Sequence, residues 1–448
     1  MWVLIVLMIV PEGFDYQGLA TASAPSTGGP ISRMLWLGLL ALSIIIILWR
    51  AGLAWLLART LNPFFILFVA LAIASVAWSI DPALSIRRLI RLSTFVLACT
   101  AFVLMSWHAR RYQNVVRPIL TIVLLGSIVF GLVFPSLAIH QETSAELVDA
   151  WHGLANHKNG LGALACVALI FWFHAWLTRE VKWLPALAGG AVATTCLVLS
   201  RSSTSLAATV FVMIFLLVLL RSPHGLRPYM PYLVAMLVAI FLLYALAILD
   251  LIPGLGTLMA PVTMLTGKDM SLTGRTQIWA IISEHIRYHP FLGTGYAAYW
   301  TAEPVAGTDS YAFVWRMGSF YPGSAHNGYL EVVNDLGWVG LVCLFAYIIM
   351  HVRQSLQLLG IDRNQAALYL ALFFQQAITN LSETHWFSVL SVHFLLLALA
   401  TTALARGLLE HRLRMIFGTP QASTKGTIYG MALPPAHKPI PRAQGGGA

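Results

Sequence analysis

Twelve apolar stretches, most of them near the length that crosses a bilayer, leave this chain few soluble alternatives. They are Met1–Val10, Met34–Trp49, Pro63–Trp78, Leu92–Trp107, Pro118–Phe134, Leu161–Leu177, Leu184–Leu199, Leu206–Leu220, Tyr232–Leu249, Trp338–Met350, Ala366–Ile378 and Val389–Leu404. Roughly 20 apolar residues span the hydrocarbon core as a helix, and a helix satisfies its own backbone hydrogen bonds in lipid. Charged side chains make up only 10% of the 448 residues, against about 25% in an ordinary soluble domain. The fold class implied is an all-α polytopic membrane protein with about twelve transmembrane helices. The first stretch ends at Pro11 and is short for a full crossing.

Lys and Arg collect in the short cytoplasmic loops of such proteins. If the long segment after Leu249 lies outside, the cytoplasmic segments carry 17 of the 27 Lys and Arg residues and the outer ones carry 10. This bias puts residues 12–33, 79–91, 135–160, 200–205, the long segment and 382–386 on the outer face. The net charge of +10 then reads as a topology signal with membrane-lipid contact, and nucleic acid is set aside. Cys99, Cys166, Cys196 and Cys343 all fall inside apolar stretches, so they read as packing residues and not as disulfides or metal ligands. His140, His152 and His157 have no metal-ligand spacing. No metal and no cofactor is expected.

The chain divides into N-terminal membrane helices over 1–249, an outer catalytic loop over 250–337, C-terminal membrane helices over 338–405 and a mostly disordered cytoplasmic tail over 406–448. Within the loop, Ile278, Ile281, Ile282 and Ile286 mark an apolar stripe at helical spacing, with Thr273 as its cap and Pro290 past its end. Arg275 then sits in a first turn, where unpaired N–H groups and the helix dipole favour an anion. A second helix is expected from His326 or Asn327 to Gly337, where the next crossing begins. A neutral imidazole at His326 can accept a proton.

Arg201 lies in the tight turn Ser200–Ser205, a cation on the face where cations are scarce. It reads either as an interfacial arginine reaching lipid phosphate or as a substrate ligand. Arg87, Arg88 and Arg91 read as headgroup anchors, as partners of Asp81 or as substrate ligands, and Lys158 sits at an outer boundary. Arg287 belongs to the same loop as Arg275, and Tyr296 and Trp300 are interfacial belt residues or sugar-stacking platforms. The centres of the firmly placed stretches hold no Asp, Glu, Lys or Arg, which speaks against an ion-coupled transporter.

Six stretches in order resemble the O-antigen ligase and polymerase family of bacterial envelope glycosyltransferases. They are Trp78–Pro82 (WSIDP), His157–Gly162 (HKNGLG), Ser200–Ser205 (SRSSTS), Thr273–Trp279 (TGRTQIW), Pro290–Tyr296 (PFLGTGY), and Ala325–Glu331 (AHNGYLE) followed by Leu336–Gly340 (LGWVG). The run Phe291–Trp300 and the WSIDP stretch look most like the exopolysaccharide-polymerase branch. The resemblance implies a GT-C-like, metal-independent glycosyltransferase of the bacterial inner membrane with its site facing the periplasm. It also implies an undecaprenyl-diphosphate-linked oligosaccharide donor, a saccharide or lipid A core acceptor, and a chain-length regulator as partner. Its diphosphate-gripping arginines fall on Arg201 and Arg275 and its histidine on His326, the three catalytic residues. Arg87, Arg88, Arg91, Lys158, Asn327, Arg287, Tyr296 and Trp300 are expected to bind substrate. Polymerase is the reading adopted, with O-antigen ligase and lipid-linked sugar flippase as alternatives.

Overall fold

A computed structural model describes residues 1–11, 16, 29–141, 147–248, 275–301, 313, 316, 322–389 and 391–417. Fourteen helices carry the described fold: α1 Trp2–Ile9, α2 Pro30–Trp49, α3 Ala51–Thr60, α4 Pro63–Ala74, α5 Pro82–Met105, α6 Arg111–Val133, α7 Lys158–Leu177, α8 Trp183–Leu199, α9 Ser203–Arg221, α10 Met230–Ile248, α11 Arg275–Tyr288, α12 Gly328–Leu359, α13 Arg363–Thr379 and α14 Val392–Phe417. Thr273 and the tail from Gly418 lie outside the described residues.

Not all of the twelve expected crossings are carried by helices of membrane length. Among the described residues eight helices are long and apolar enough to cross a membrane, or nine if the bent pair α3 and α4 is one crossing. α1 has only 8 residues, and α8 and α13 have 17 each. α13 carries Gln365, Gln375 and Gln376, all buried, because neighbouring helices cover it and lipid does not have to solvate it. The α3–α4 pair bends by 102°. Asn62 holds that bend: its Oδ1 accepts from the N–H groups of Phe64 and Phe65, while its Nδ2 donates to the Tyr347 carbonyl of α12 at 3.0 Å.

Burial grades the bundle from centre to rim. The apolar window of α14 is 94% buried and that of α7 is 78%, whereas that of α2 is 11% buried. α2 therefore shows its Leu and Ile side chains to the hydrocarbon, and α14 is the central post. α14 also continues through Arg406 to Phe417, so the first twelve residues of the expected tail are helical. Arg406 is buried there and pairs with Glu410 at 2.8 Å.

The segments assigned to the outer face meet at one end. Ile80 N–H donates to Thr294 O, Trp151 N–H to Leu199 O, and Ser382 Oγ to Thr204 Oγ1. At the other end Arg363 donates to Leu219 O and Ser222 Oγ, Arg221 to Leu177 O, and Gln354 to Thr60 O. The charge bias thus sorted the loops into two groups that fold as two groups.

Candidate active site

The PFLGTGY stretch is threaded through a break in α12. Gly337 has φ 63°, outside helical space, and interrupts the ladder at the point where a crossing was expected to begin. Its broken hydrogen bonds are remade from the loop: Trp338 N–H donates to Pro290 O at 2.9 Å, and Val339 N–H to Phe291 O at 3.2 Å. In the other direction Thr294 N–H donates to Asn334 O and Gly295 N–H to Asp335 O. A Cβ on Gly337 would lie 2.3 Å from the Phe291 carbonyl carbon, and one on Gly293 2.4 Å from that of Asp335, so both positions need glycine for close approach and for positive φ. Trp78 Nε1 closes the same knot on Leu292 O at 3.0 Å. Three of the sequence stretches therefore form one object.

That object presents the starts of three helices to one carboxylate. Arg275 opens α11 and its Nη2 lies 3.0 Å from Glu383 Oε1. His326 immediately precedes Asn327, the cap of α12, and its Nδ1 lies 3.3 Å from Glu383 Oε2. Asn159, in the first turn of α7, donates to Glu383 Oε1 at 2.6 Å. Trp279 Nε1 donates to Ala325 O and ties α11 to the loop that carries His326. Asn380 shapes the Glu383 loop by accepting the N–H groups of His385 and Trp386 on Oδ1, while its carbonyl takes Gly328 N–H.

Electrostatics at this point are those of an anion seat. Helix starts carry partial positive charge, and here the side chains of Arg275, His326 and Asn159 at three of them converge. Burial on its own would raise the Glu383 carboxyl, but the His326 hydrogen bond and charge, Arg275 and His157 outweigh it and hold Glu383 down at about 2. A carboxylate facing Nδ1 selects the tautomer with the proton on that nitrogen, which leaves His326 Nε2 as the acceptor. His157, the cap of α7, accepts Asn159 N–H on Nδ1, and burial pushes it down to about 4.

Behind this cluster lies a cavity of about 450 Å³. Its wall includes His157, Asn159, His326 and Glu383, together with Arg88, Trp300, Glu331 and Asp335. Met8, Ile9, Leu164, Val389 and Val392 give it an apolar margin. Among the described residues no group of three or more His, Cys, Asp or Glu side chains is arranged to hold a metal ion.

Residues 188–345 match the family model described as O-antigen ligase. The exopolysaccharide production protein ExoQ of Rhizobium meliloti (strain 1021) is 29% identical over 334 residues, covering 70% of this chain and 71% of its own length. Over residues 188–345 the chain is similar to the O-antigen ligase family. Its matched region contains Arg201, Arg275 and His326, together with the threaded loop and the α12 kink.

Not every residue singled out in the sequence reaches this site. Arg275 and His326 meet, but Arg201 stands apart from them: its Nη1 donates to Val148 O at 2.8 Å and its Nη2 lies 3.8 Å from Asp149, both side chains being exposed. Arg88 lines the cavity, but its guanidinium is committed to the backbone, donating to Ala297 O and to Trp300 O. Asn327 is a buried helix cap whose Oδ1 accepts from Tyr329 and Leu330. Tyr296 and Trp300 are 3% exposed, so they are cavity wall and not interfacial belt. Arg91 stacks over Trp36. Arg87 and Arg287 are exposed and, like Lys158 and Arg201, are not among the described residues of the cavity wall.

Glu383, Glu331 and Asp335 escaped the sequence reading. Glu383 is an acidic residue in the short outer turn 382–386, and that placement was the available signal. Glu331 and Asp335 sit one helical turn apart on a helix otherwise read by its apolar positions. Trp300 Nε1 and Ala325 N–H bond the two oxygens of Glu331, both at 2.7 Å, and Ala297 N–H bonds Asp335 Oδ2 at 2.8 Å.

Proposed function

We propose that this protein is a glycosyltransferase of the bacterial inner membrane that joins undecaprenyl-diphosphate-linked oligosaccharide repeat units into exopolysaccharide or O-antigen on the periplasmic side. The observation that carries the proposal is the meeting of Arg275 and His326 on Glu383 at three helix starts. A donor diphosphate suits such a seat better than a carboxylate does, because it brings more charge and more acceptor oxygens. In the resting protein Glu383 keeps the seat occupied and ordered.

In the reaction the acceptor hydroxyl oxygen attacks the anomeric carbon while the bond from that carbon to the phosphate oxygen breaks. The electron pair leaves with the polyprenyl diphosphate, and the hydroxyl proton passes to His326 Nε2. Arg275 neutralises the charge growing on the leaving group, a contribution that a fixed guanidinium makes without reorganisation. Arg201 is proposed to join it on the donor after leaving Asp149, with Lys158, Arg87, Arg91 and Arg287 as outer ligands for headgroup phosphate. The scheme needs no metal. A GT-C-like arrangement of twelve crossings follows if α1, α8, α13 and the bent α3–α4 pair all count.

The test is purified protein in lipid vesicles supplied with lipid-linked repeat units and no lipid A core. Chain growth that persists in a chelator, and is lost in His326→Ala, is the expected result. The matching family model is described as a ligase, which favours a second reading: transfer of finished polymer to lipid A core. Product that forms only when lipid A core is added would establish that reading. Movement of the lipid-linked sugar across the vesicle with no new bond would make the protein a flippase and end the enzymatic account.

A further inference from the structure

The cavity beside Glu383 sets polar groups in a largely apolar lining, and it is poorly made for an anion. Among its described lining residues Arg88 is the one Lys or Arg, and Arg88 donates to the carbonyls of Ala297 and Trp300. The remaining polar groups are carboxyls and imidazoles, chiefly Glu331, Asp335, His385 and His393, together with neutral amides and hydroxyls such as Asn156, Asn159 and Ser391. Whatever its protonation, a carboxyl or an imidazole offers a hydroxyl a partner. Neither gives an incoming carboxylate or phosphate a fixed cation, and burying an uncompensated charge is costly.

Two of these groups have unused capacity. Asp335 is 6% exposed, and its Oδ1 has no hydrogen-bond partner among the described residues although Oδ2 is held by Ala297 N–H. His393 is 5% exposed and its Nδ1 is likewise unpartnered. Buried polar atoms normally find partners, so such atoms beside a cavity mark where a ligand's groups are missing. Trp300, 3% exposed, adds an aromatic surface to the same wall. A volume of about 450 Å³ falls within the range of roughly 300–1,000 Å³ usual for small-ligand sites.

We propose that this cavity holds the terminal sugar of the acceptor, that it takes a neutral sugar and rejects a uronic acid, and that Asp335 contributes to this specificity by hydrogen-bonding a sugar hydroxyl at Oδ1. The inference rests on the glycosyltransferase reading in one respect, the assignment to the acceptor and not the donor. His326, the base that must touch the acceptor hydroxyl, lines the cavity, whereas Arg275, the donor's ligand, does not. The anionic diphosphate is thereby kept at the seat in front, and the uncharged hydroxyls go behind.

The experiment is saturation-transfer NMR on the purified full-length protein with three probes: methyl β-D-glucopyranoside, methyl β-D-galactopyranoside and methyl β-D-glucopyranosiduronate. Wild-type protein is expected to bind at least one neutral glycoside about tenfold more tightly than the uronate, the equivalent of roughly 1.4 kcal/mol. Asp335→Ala removes the hydrogen-bonding group at that position, so the preference should shrink to within about threefold. Equal binding of uronate and neutral probes by wild-type protein, or failure of all three to bind, overturns the inference without reference to any variant. An unchanged preference in folded Asp335→Ala removes Asp335 from it. Binding requires no turnover, so a protein that binds neutral glycosides but builds no chains refutes the enzyme while leaving the sugar site. One that builds chains and binds uronate equally well refutes the inference alone.

Discussion

Arg275 and His326 hold opposite oxygens of a single carboxylate, at 3.0 and 3.3 Å, although neither lies in the same helix as the other or as Glu383. Glu383 is therefore the part that sets the distance between a diphosphate ligand and a base. Replacing it by Gln keeps the size but removes the charge that selects the His326 tautomer. Glu383→Gln should lose about 10²-fold in chain growth, the loss falling on kcat and not on KM for the acceptor. Steady-state kinetics with lipid-linked repeat units checks this, and an unchanged kcat would reduce Glu383 to packing.

The guanidinium at Arg275 is expected to be irreplaceable by an ammonium. Arginine presents paired planar donors matched to phosphate oxygens, and lysine presents a single point charge on a flexible stem. Arg275→Lys should weaken donor binding by about tenfold or more, and added magnesium should not restore it. Rescue by magnesium would show that charge alone is required and would contradict the metal-free scheme.

Arg201 can be separated into its two readings by its partner. If it only latches the loop at Val148 and Asp149, then Asp149→Ala should cost as much activity as Arg201→Ala. If it grips the donor, Arg201→Ala should lose chain growth while Asp149→Ala keeps most of it, because an exposed ion pair at 3.8 Å is worth only about 0–1 kcal/mol. The second pattern is the expected one. Equal losses would take Arg201 out of the site.

The threaded loop gives a prediction about folding. Gly337→Ala must adopt φ 63° and place a Cβ 2.3 Å from the Phe291 carbonyl carbon, so the backbone cost of about 1–2 kcal/mol is only its lower bound. Thermal unfolding in detergent should shift down by several degrees or fail to give a folded sample. Gly190→Ala, where nothing lies within 4 Å, serves as control and should be neutral or slightly stabilising. Equal midpoints for the two variants would mean that the kink does not carry the fold.

Local signals made much of this legible in the sequence. Apolar runs located the helices, and the Ile278, Ile281, Ile282 and Ile286 stripe located α11, because burial of one helical face writes a period into the chain. Gly337 was expected as the junction between an outer helix and the next crossing, and α12 breaks there. The lengths of the crossings were less legible: the Ala366–Ile378 stretch was located, but α13 is buried inside protein, so lipid does not filter its composition. Glu383 was missed because its meaning lies in what α7, α11 and α12 bring to it, and no spacing in one segment records a meeting of four. Arg201 was grouped with Arg275 on resemblance, and its partners are set by how residues 147–151 fold over the turn, which has no sequence period.

Acid sensitivity is the last consequence of the outer cluster. His157 Nδ1 accepts Asn159 N–H and His140 Nε2 accepts Lys158 N–H, so protonating either ring removes a bond at the start of α7. Burial is the main cause that pushes His157 down to about 4 and His140 to about 3, with nearby histidines and Lys158 adding to it, whereas both titrate near 6.5 in the unfolded chain. As pH falls below about 6.5 the unfolded state takes up protons first, so stability is complete above that point and declines toward about pH 4 and 3. Glu383, held at about 2, adds a second decline, because its stabilisation is present above its unfolded value of about 4.5 and lost as pH falls through 2. The thermal midpoint should thus be level above pH 7, fall below 6.5 and fall more steeply below 4.5. His157→Asn retains an acceptor for the helix cap and should flatten the upper part of the decline while leaving the lower part to Glu383. A midpoint that stays constant from pH 7 to pH 5 in wild-type protein would show that these imidazoles are not held neutral by the fold.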